Sequence, residues 1–112
     1  MGEMLPFQLD RVINIAEPYW LPRQRNLRTV WNENIWVTTS GMFTLPPFTC
    51  LLSMKSIDKI MYSVDWPYSN NTDGEAFLRE IRRSGLLTEE EFEKFAYKNV
   101  QTLLKLSLPG RK

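Results

Sequence analysis

Two short segments, Ile35–Thr39 and Lys59–Val64, carry apolar side chains on both of their alternating faces, and a helical stretch separates them. In the second, Ile60, Tyr62 and Val64 form one face and Met61 and Ser63 the other. A strand covered by helices on both sides has this composition, whereas a strand with one wet face alternates apolar with polar. The first segment is rich in β-branched and aromatic residues and closes on Ser40-Gly41, a strand followed by a turn. Between the two, Pro46 or Pro47 opens a helix over Phe48, Leu51, Leu52 and Met54. Strand, helix and strand in this order make a βαβ unit with a parallel pair and a right-handed crossover. A lone parallel pair leaves two strand edges unpaired and much apolar surface without cover. The pattern is that of a slice through a larger sheet.

Directly after the second strand stands Asp65-Trp66-Pro67-Tyr68. A carboxylate there emerges at the C-terminal mouth of a parallel sheet, where α/β folds bind their ligands. The competing reading is a turn, because Asp bonds its own backbone and the residue before a proline is pushed extended. The sequence has no histidine and one cysteine, so a metal site at Asp65 lacks most of its usual ligands. Ser40 has no histidine base, which excludes a hydrolytic triad.

A length of 112 residues allows one domain. The net charge of +1 and the scatter of Arg23, Arg25, Arg28, Arg82 and Arg83 among acids argue against a nucleic-acid partner. Without a basic groove, Trp20, Trp31, Trp36 and Trp66 read as packing residues rather than a stacking platform. Cys50 cannot form an internal disulfide and reads as a small apolar residue. The start lacks an export or lipidation pattern, and no apolar run approaches the roughly 18 residues of a membrane span, so a soluble cytoplasmic protein without membrane partners is expected.

Around the strands, Pro6 suits the first position of a helix on which Leu9, Val12, Ile13 and Ala16 recur until Pro18 ends it. Tyr19 to Asn34 reads as an ordered connection with at most one helical turn at Arg28 to Trp31. Ser69 to Gly74 is a polar loop leading into a helix with Ala76, Phe77 and Ile81, which Gly85 stops. Thr88 and Glu91 have the spacing of a capping box. Asn99 suits a left-handed break before a final short helix with Val100, Leu103 and Leu104. Residues 1–106 thus read as one unit and 107–112 as a tail.

Ser63-Val64-Asp65-Trp66-Pro67-Tyr68 resembles the last barrel strand of the amidohydrolase-related metal enzymes. It is most similar to their aromatic-acid decarboxylase branch, which includes the 2,3-dihydroxybenzoate and γ-resorcylate decarboxylases. Three further stretches agree in order and spacing. Met1-Gly2-Glu3-Met4-Leu5-Pro6-Phe7 with Arg11 looks like the family's Gly-His-x-Gly-Glu-x-Leu-Pro-Phe segment and its following arginine. Asn34 to Gly41 is similar to the seventh strand, and Leu87 to Glu91 through Asn99-Val100 to Leu103-Leu104 looks like the closing helices.

The resemblance covers nearly the whole chain. It implies an α/β fold that is the C-terminal fragment of a (β/α)8 TIM barrel, about two parallel strands with flanking helices, from a fold that ordinarily needs about 250 residues. The absent strands would carry the family's other metal ligands, and the histidine of the Gly-His-x-Gly-Glu segment would fall just before Met1, so a truncated gene or a fragment is expected. The implied function is that of a C-terminal portion of a metal-dependent, non-oxidative decarboxylase of hydroxylated aromatic acids, inactive as an isolated chain. The alternatives are a metal-dependent hydrolase of the same family and a non-catalytic interaction module or orphan fragment.

Carried over by the resemblance, Asp65 binds the divalent metal and passes a proton to the ring carbon. Glu3 pairs with the missing catalytic histidine, Arg11 holds substrate or the charges of the site, and Tyr68 lines the aromatic pocket. The full-length family enzyme uses Zn2+ or Mn2+, and none is expected on this chain alone. The implied partners are a small aromatic carboxylic acid and further copies in a homo-oligomer.

Overall fold

The computed structural model describes residues 4–20 and 25–106, with Trp20 described by its backbone. The elements run α1 (Met4–Trp20), α2 (Leu27–Asn34), β1 (Val37–Thr38), α3 (Leu45–Met54), a 3-10 turn (Ile57–Lys59), β2 (Ile60–Met61), α4 (Asn71–Ser84), α5 (Glu89–Glu93), a π-helical turn (Lys94–Lys98) and α6 (Asn99–Leu104). The two strands pair in parallel with Val37 opposite Ile60 and Thr38 opposite Met61. The Thr39 N–H adds one more rung by donating to the Met61 carbonyl at 3.1 Å. The sheet is therefore the expected parallel pair, with shorter strands than the apolar runs predict.

Helix α1 runs through Pro18, where the sequence predicts a stop. Pro18 has no N–H to donate to the Asn14 carbonyl, and Asn14 is exposed, so water can take the place of that bond in the last turn. The segment read as a connection contains all of α2. Asn26 caps it by accepting from the Thr29 N–H at 2.8 Å, and buried Trp31 anchors it by donating to the Met54 carbonyl at 2.8 Å. Helix α4 begins at Asn71 rather than after Gly74, because the Asn70 side chain accepts from the Asp73 N–H at 2.8 Å and starts the helix early. Gly85 stops α4 with φ +73°, and Thr88 and Glu91 form both halves of the capping box, as predicted.

Asn99 departs from expectation. It is right-handed, with φ −65°, and the left-handed break falls at Lys105. A π turn lets one carbonyl escape the helix ladder. Here the carbonyl of Phe95 accepts from the Tyr62 N–H at 3.0 Å, and one turn later the buried Asn99 side chain donates to the carbonyls of Ile60 at 2.9 Å and Ile57 at 2.6 Å. The edge of β2 away from β1 is closed by these bonds.

The core lies between the strand pair and the helices. Phe48 of α3 meets Phe77 of α4 edge-on with centroids 5.6 Å apart and Phe95 of the π turn at 5.1 Å, while Tyr62 meets Phe95 at 6.0 Å. Ile60, Leu51 and Ile81 fill the rest of this layer and are fully buried. Of the tryptophans read as packing residues, Trp31 is buried and Trp36 half-buried, but Trp66 is 72% exposed and does not pack. The radius of gyration, 15.5 Å, exceeds the roughly 13 Å of a compact domain of this length.

Lys55, at the end of α3, is 5% exposed. Its ammonium donates to the Trp31 carbonyl and lies 4.2 Å from the centroid of the Trp31 ring. Burial, and then the charge of Lys59, lower its pKa from the ordinary lysine value of 10.5 to about 8. With the folded pKa depressed, the unfolded chain binds more protons between those two values, so the stability contribution of this group rises with pH across that window.

Three outcomes are expected in urea unfolding. The stability of the wild type relative to Lys55→Met should increase as pH rises from 8 to 10.5; a flat difference would contradict the burial of this charge. Asn99→Leu, which leaves two carbonyls without their donor, should cost about 2–4 kcal/mol. A Cβ on buried Gly74 would sit 2.1 Å from the Tyr62 hydroxyl oxygen and 2.9 Å from a Val64 methyl, so Gly74→Ala should destabilise by about 1–3 kcal/mol despite its better helix propensity.

Candidate functional site at the C-terminal end of the strand pair

Past β2 the chain leaves the ladder and turns at Asp65–Ser69. Asp65 has φ +68°, a left-handed conformation that Asp tolerates better than most residues because its short side chain is compatible with such turns. Its carbonyl accepts from the Ser69 N–H at 3.0 Å, closing the turn. The carboxylate is exposed, with no hydrogen bond or ion pair among the described residues. Asp65 thus forms the turn that one sequence reading expects, and its carboxylate is exposed beyond the C-terminal end of β2.

Tyr68 lies in the same turn and is 88% exposed, beside the exposed Trp66. The two rings and the Asp65 carboxylate therefore share one short exposed segment. Arg11 is exposed on α1, and among the described residues no hydrogen bond or ion pair joins it to Asp65. Glu3 lies outside the described residues. The structure thus brings Asp65 and Tyr68 together and leaves Arg11 unconnected to them.

Hydroxyl groups occupy the floor of the mouth. Ser40, just after β1, and Ser63, just after β2, approach with oxygens 2.5 Å apart, and Thr38 lies 3.3 Å from Ser40. The fully buried Thr39 accepts from the Ser63 N–H at 3.4 Å. Gly41 has φ +74°, and a Cβ there would lie 3.4 Å from the Ser69 hydroxyl, so the turn after β1 and the Asp65 turn are neighbours. Sequence reasoning considered Ser40 only as a nucleophile and passed over Thr38, Ser63 and Ser69. The run Thr38-Thr39-Ser40, three hydroxyls at a strand tip, was the available signal.

Among the described residues no three of His, Cys, Asp and Glu gather, and the sequence has no histidine, whereas a catalytic zinc takes three protein ligands. Cys50, half-buried, borders an apolar cleft with Phe7, Pro46 and Pro47, in keeping with a packing role. An open groove of about 250 Å³ is lined by residues of α1, α2 and β1, among them Pro6, Trp31, Trp36, Val37 and Thr38. No described helix is long and apolar enough to cross a membrane.

Comparison with known proteins places this geometry. The chain is 47% identical over 110 residues to the decarboxylase orsB of Emericella nidulans, a match covering 96% of this chain and 33% of that protein. It is 28% identical over 113 residues to the gamma-resorcylate decarboxylase of Polaromonas sp., again over 96% of this chain and 33% of the relative. The chain therefore spans about a third of the length of the curated relatives it matches. Among solved structures it is similar to a 2,6-dihydroxybenzoate decarboxylase complexed with 2,6-dihydroxybenzoate, with TM-score 0.75 and 26% identity over 94% of this chain and 32% of that one. It is also similar to the dihydroxybenzoic acid decarboxylase of Polaromonas sp. JS666 with bound manganese and the inhibitor 2-nitroresorcinol, with TM-score 0.73 and 26% identity over 91% of this chain and 31% of that one. The strand pair and its helices are accordingly a portion of a (β/α)8 barrel. The amidohydrolase pattern matches residues 18–106, which hold both strands, the hydroxyl floor and the Asp65 turn, and the chain belongs to the amidohydrolase family.

Proposed function

We propose that this chain is the C-terminal portion of a metal-dependent, non-oxidative decarboxylase of hydroxylated aromatic acids. The observation that carries the reading is the exposed Asp65 carboxylate at the C-terminal end of a parallel strand pair, in a chain 47% identical to a decarboxylase. Asp65 is the acid that delivers a proton to the carboxyl-bearing ring carbon as CO2 leaves. Tyr68 is a wall for the aromatic ring. Glu3 and Arg11 act with partners outside this chain, Glu3 beside a catalytic histidine and Arg11 on the substrate carboxylate or the charges around it. The substrate is a small aromatic carboxylic acid, and the complete barrels assemble as a homo-oligomer.

A manganese or zinc ion at Asp65 would need ligands beyond those that the described residues supply. On this reading the isolated chain is expected to be inactive. A second reading, a module that binds a complementary strand, draws on a different observation. The outer edge of β2 is closed by Asn99 and Phe95, whereas the β1 edge borders an open apolar groove. Pairing by strand addition would be confined to β1.

The catalytic reading is tested by fusing this chain to the preceding two-thirds of the decarboxylase orsB. The fusion should bind Mn2+ and release CO2 from a dihydroxybenzoate, and Asp65→Asn should lower turnover by about 100-fold or more. A folded, metal-loaded fusion without decarboxylation would overturn it. The isolated chain should bind neither Mn2+ nor Zn2+ with submicromolar affinity; tight stoichiometric binding would contradict the need for outside ligands. On size exclusion, a defined dimer that unfolds cooperatively would favour the interaction module.

A further inference from the structure

We propose that the Ser40 and Ser63 hydroxyls are positioning groups for Asp65, locking the tips of the two strands and thereby fixing the turn that carries the carboxylate. The proposal deepens the catalytic reading and rests on it for the importance of Asp65. The backbone ladder makes its last rung at Thr39 N–H to Met61 C=O, and Asp65 stands four residues beyond Met61. Its carboxylate makes no bond among the described residues that could hold it in place. The position of the carboxylate is thus set by the backbone, in a left-handed conformation that persists only where its surroundings impose it.

Side chains take over where the ladder ends. The Ser63 N–H donates to the Thr39 hydroxyl at 3.4 Å, and the Ser63 hydroxyl meets that of Ser40 at 2.5 Å, which in turn lies 3.3 Å from the Thr38 hydroxyl. A hydroxyl both donates and accepts, so the central Ser40 can donate to one neighbour and accept from the other, joining Thr38 to Ser63. Two residues after Ser63 comes Asp65, and Ser69, bonded to its carbonyl, packs against Gly41, the residue after Ser40. The turn therefore follows directly on Ser63, which is bonded to the tip of β1, and its far end lies beside Gly41. A hydroxyl pair that merely completed the sheet would stabilise the ladder amides; one that positions Asp65 must also stabilise the Asp65–Ser69 turn.

Amide hydrogen exchange of the 112-residue chain, followed residue by residue by NMR, separates these roles. In Ser40→Ala and Ser63→Ala the Ser69 N–H should exchange about fivefold faster than in the wild type, while the amides of Leu51 and Ile81 keep their wild-type protection. Ser63→Thr, which keeps the hydroxyl, should retain wild-type exchange at Ser69. Unchanged Ser69 exchange in the alanine variants, acceleration limited to the Thr39 amide, or failure of the threonine variant to match wild type would each overturn the proposal. If an alanine variant does not fold, the wild type decides: protection of Ser69 together with threonine rescue supports the lock, and exchange at the rate of an unstructured serine sinks it. A fusion that folds but does not decarboxylate, with Ser69 still protected through the hydroxyls, would count against the catalytic reading and not against the lock.

Discussion

Closure of the β2 edge is the constraint on which the rest of the molecule depends. A parallel pair two residues long makes too few rungs to hold itself together, and each net backbone bond contributes only about 1 kcal/mol. The π turn releases the Phe95 carbonyl to the Tyr62 N–H, and the Asn99 side chain supplies both of its donors to the carbonyls of Ile57 and Ile60. The helical arm Glu89–Leu104 thereby serves β2 as a neighbouring strand would. The same turn buries the Phe95 ring against Phe48 and Tyr62, so the hydrogen bonds and the aromatic core are two consequences of one irregularity in a helix.

That arrangement makes the two sides of the sheet unequal. The β2 side is finished by hydrogen bonds within the chain. On the β1 side, Trp36 and Ile35 are half-buried along an open groove, and the extended radius of gyration fits a portion of a larger barrel. The C-terminal end of the pair is likewise split between two kinds of group. Hydroxyls from both strands bond to one another, while the carboxylate of Asp65 and the rings of Trp66 and Tyr68 are exposed.

Much of this was legible in the residues. The parallel pair follows from two apolar faces and an intervening helix, and both strands formed where their composition places them. Capping chemistry marked Gly85 and the Thr88–Glu91 box correctly, because those signals act within four residues. Asp65 was identifiable as a mouth carboxylate from its place after the strand. Some departures were local, as where Asn70 caps α4 early, but the largest ones turned on contacts remote in sequence. Helix α2 depends on Trp31 reaching Met54, and Asn99 stays right-handed because its side chain is claimed by Ile57 and Ile60. Local preference for a left-handed turn is worth less than two buried hydrogen bonds. Trp66 reads as packing for want of a basic groove, yet its place in the Asp65 turn leaves it exposed.

By itself, then, the sequence determined the class of fold, the order of its elements, the family likeness and the carboxylate at the strand end, all of which rest on local pattern and periodicity. Tertiary structure alone decided that the β2 edge is closed by a π turn, that Lys55 is buried with its pKa pulled down to about 8, and that Ser40 meets Ser63 below Asp65. Each of these joins groups 20 or more residues apart. The physical reason is that a hydrogen bond between distant residues has no periodic signature, and exists only once packing has brought its donor and acceptor together.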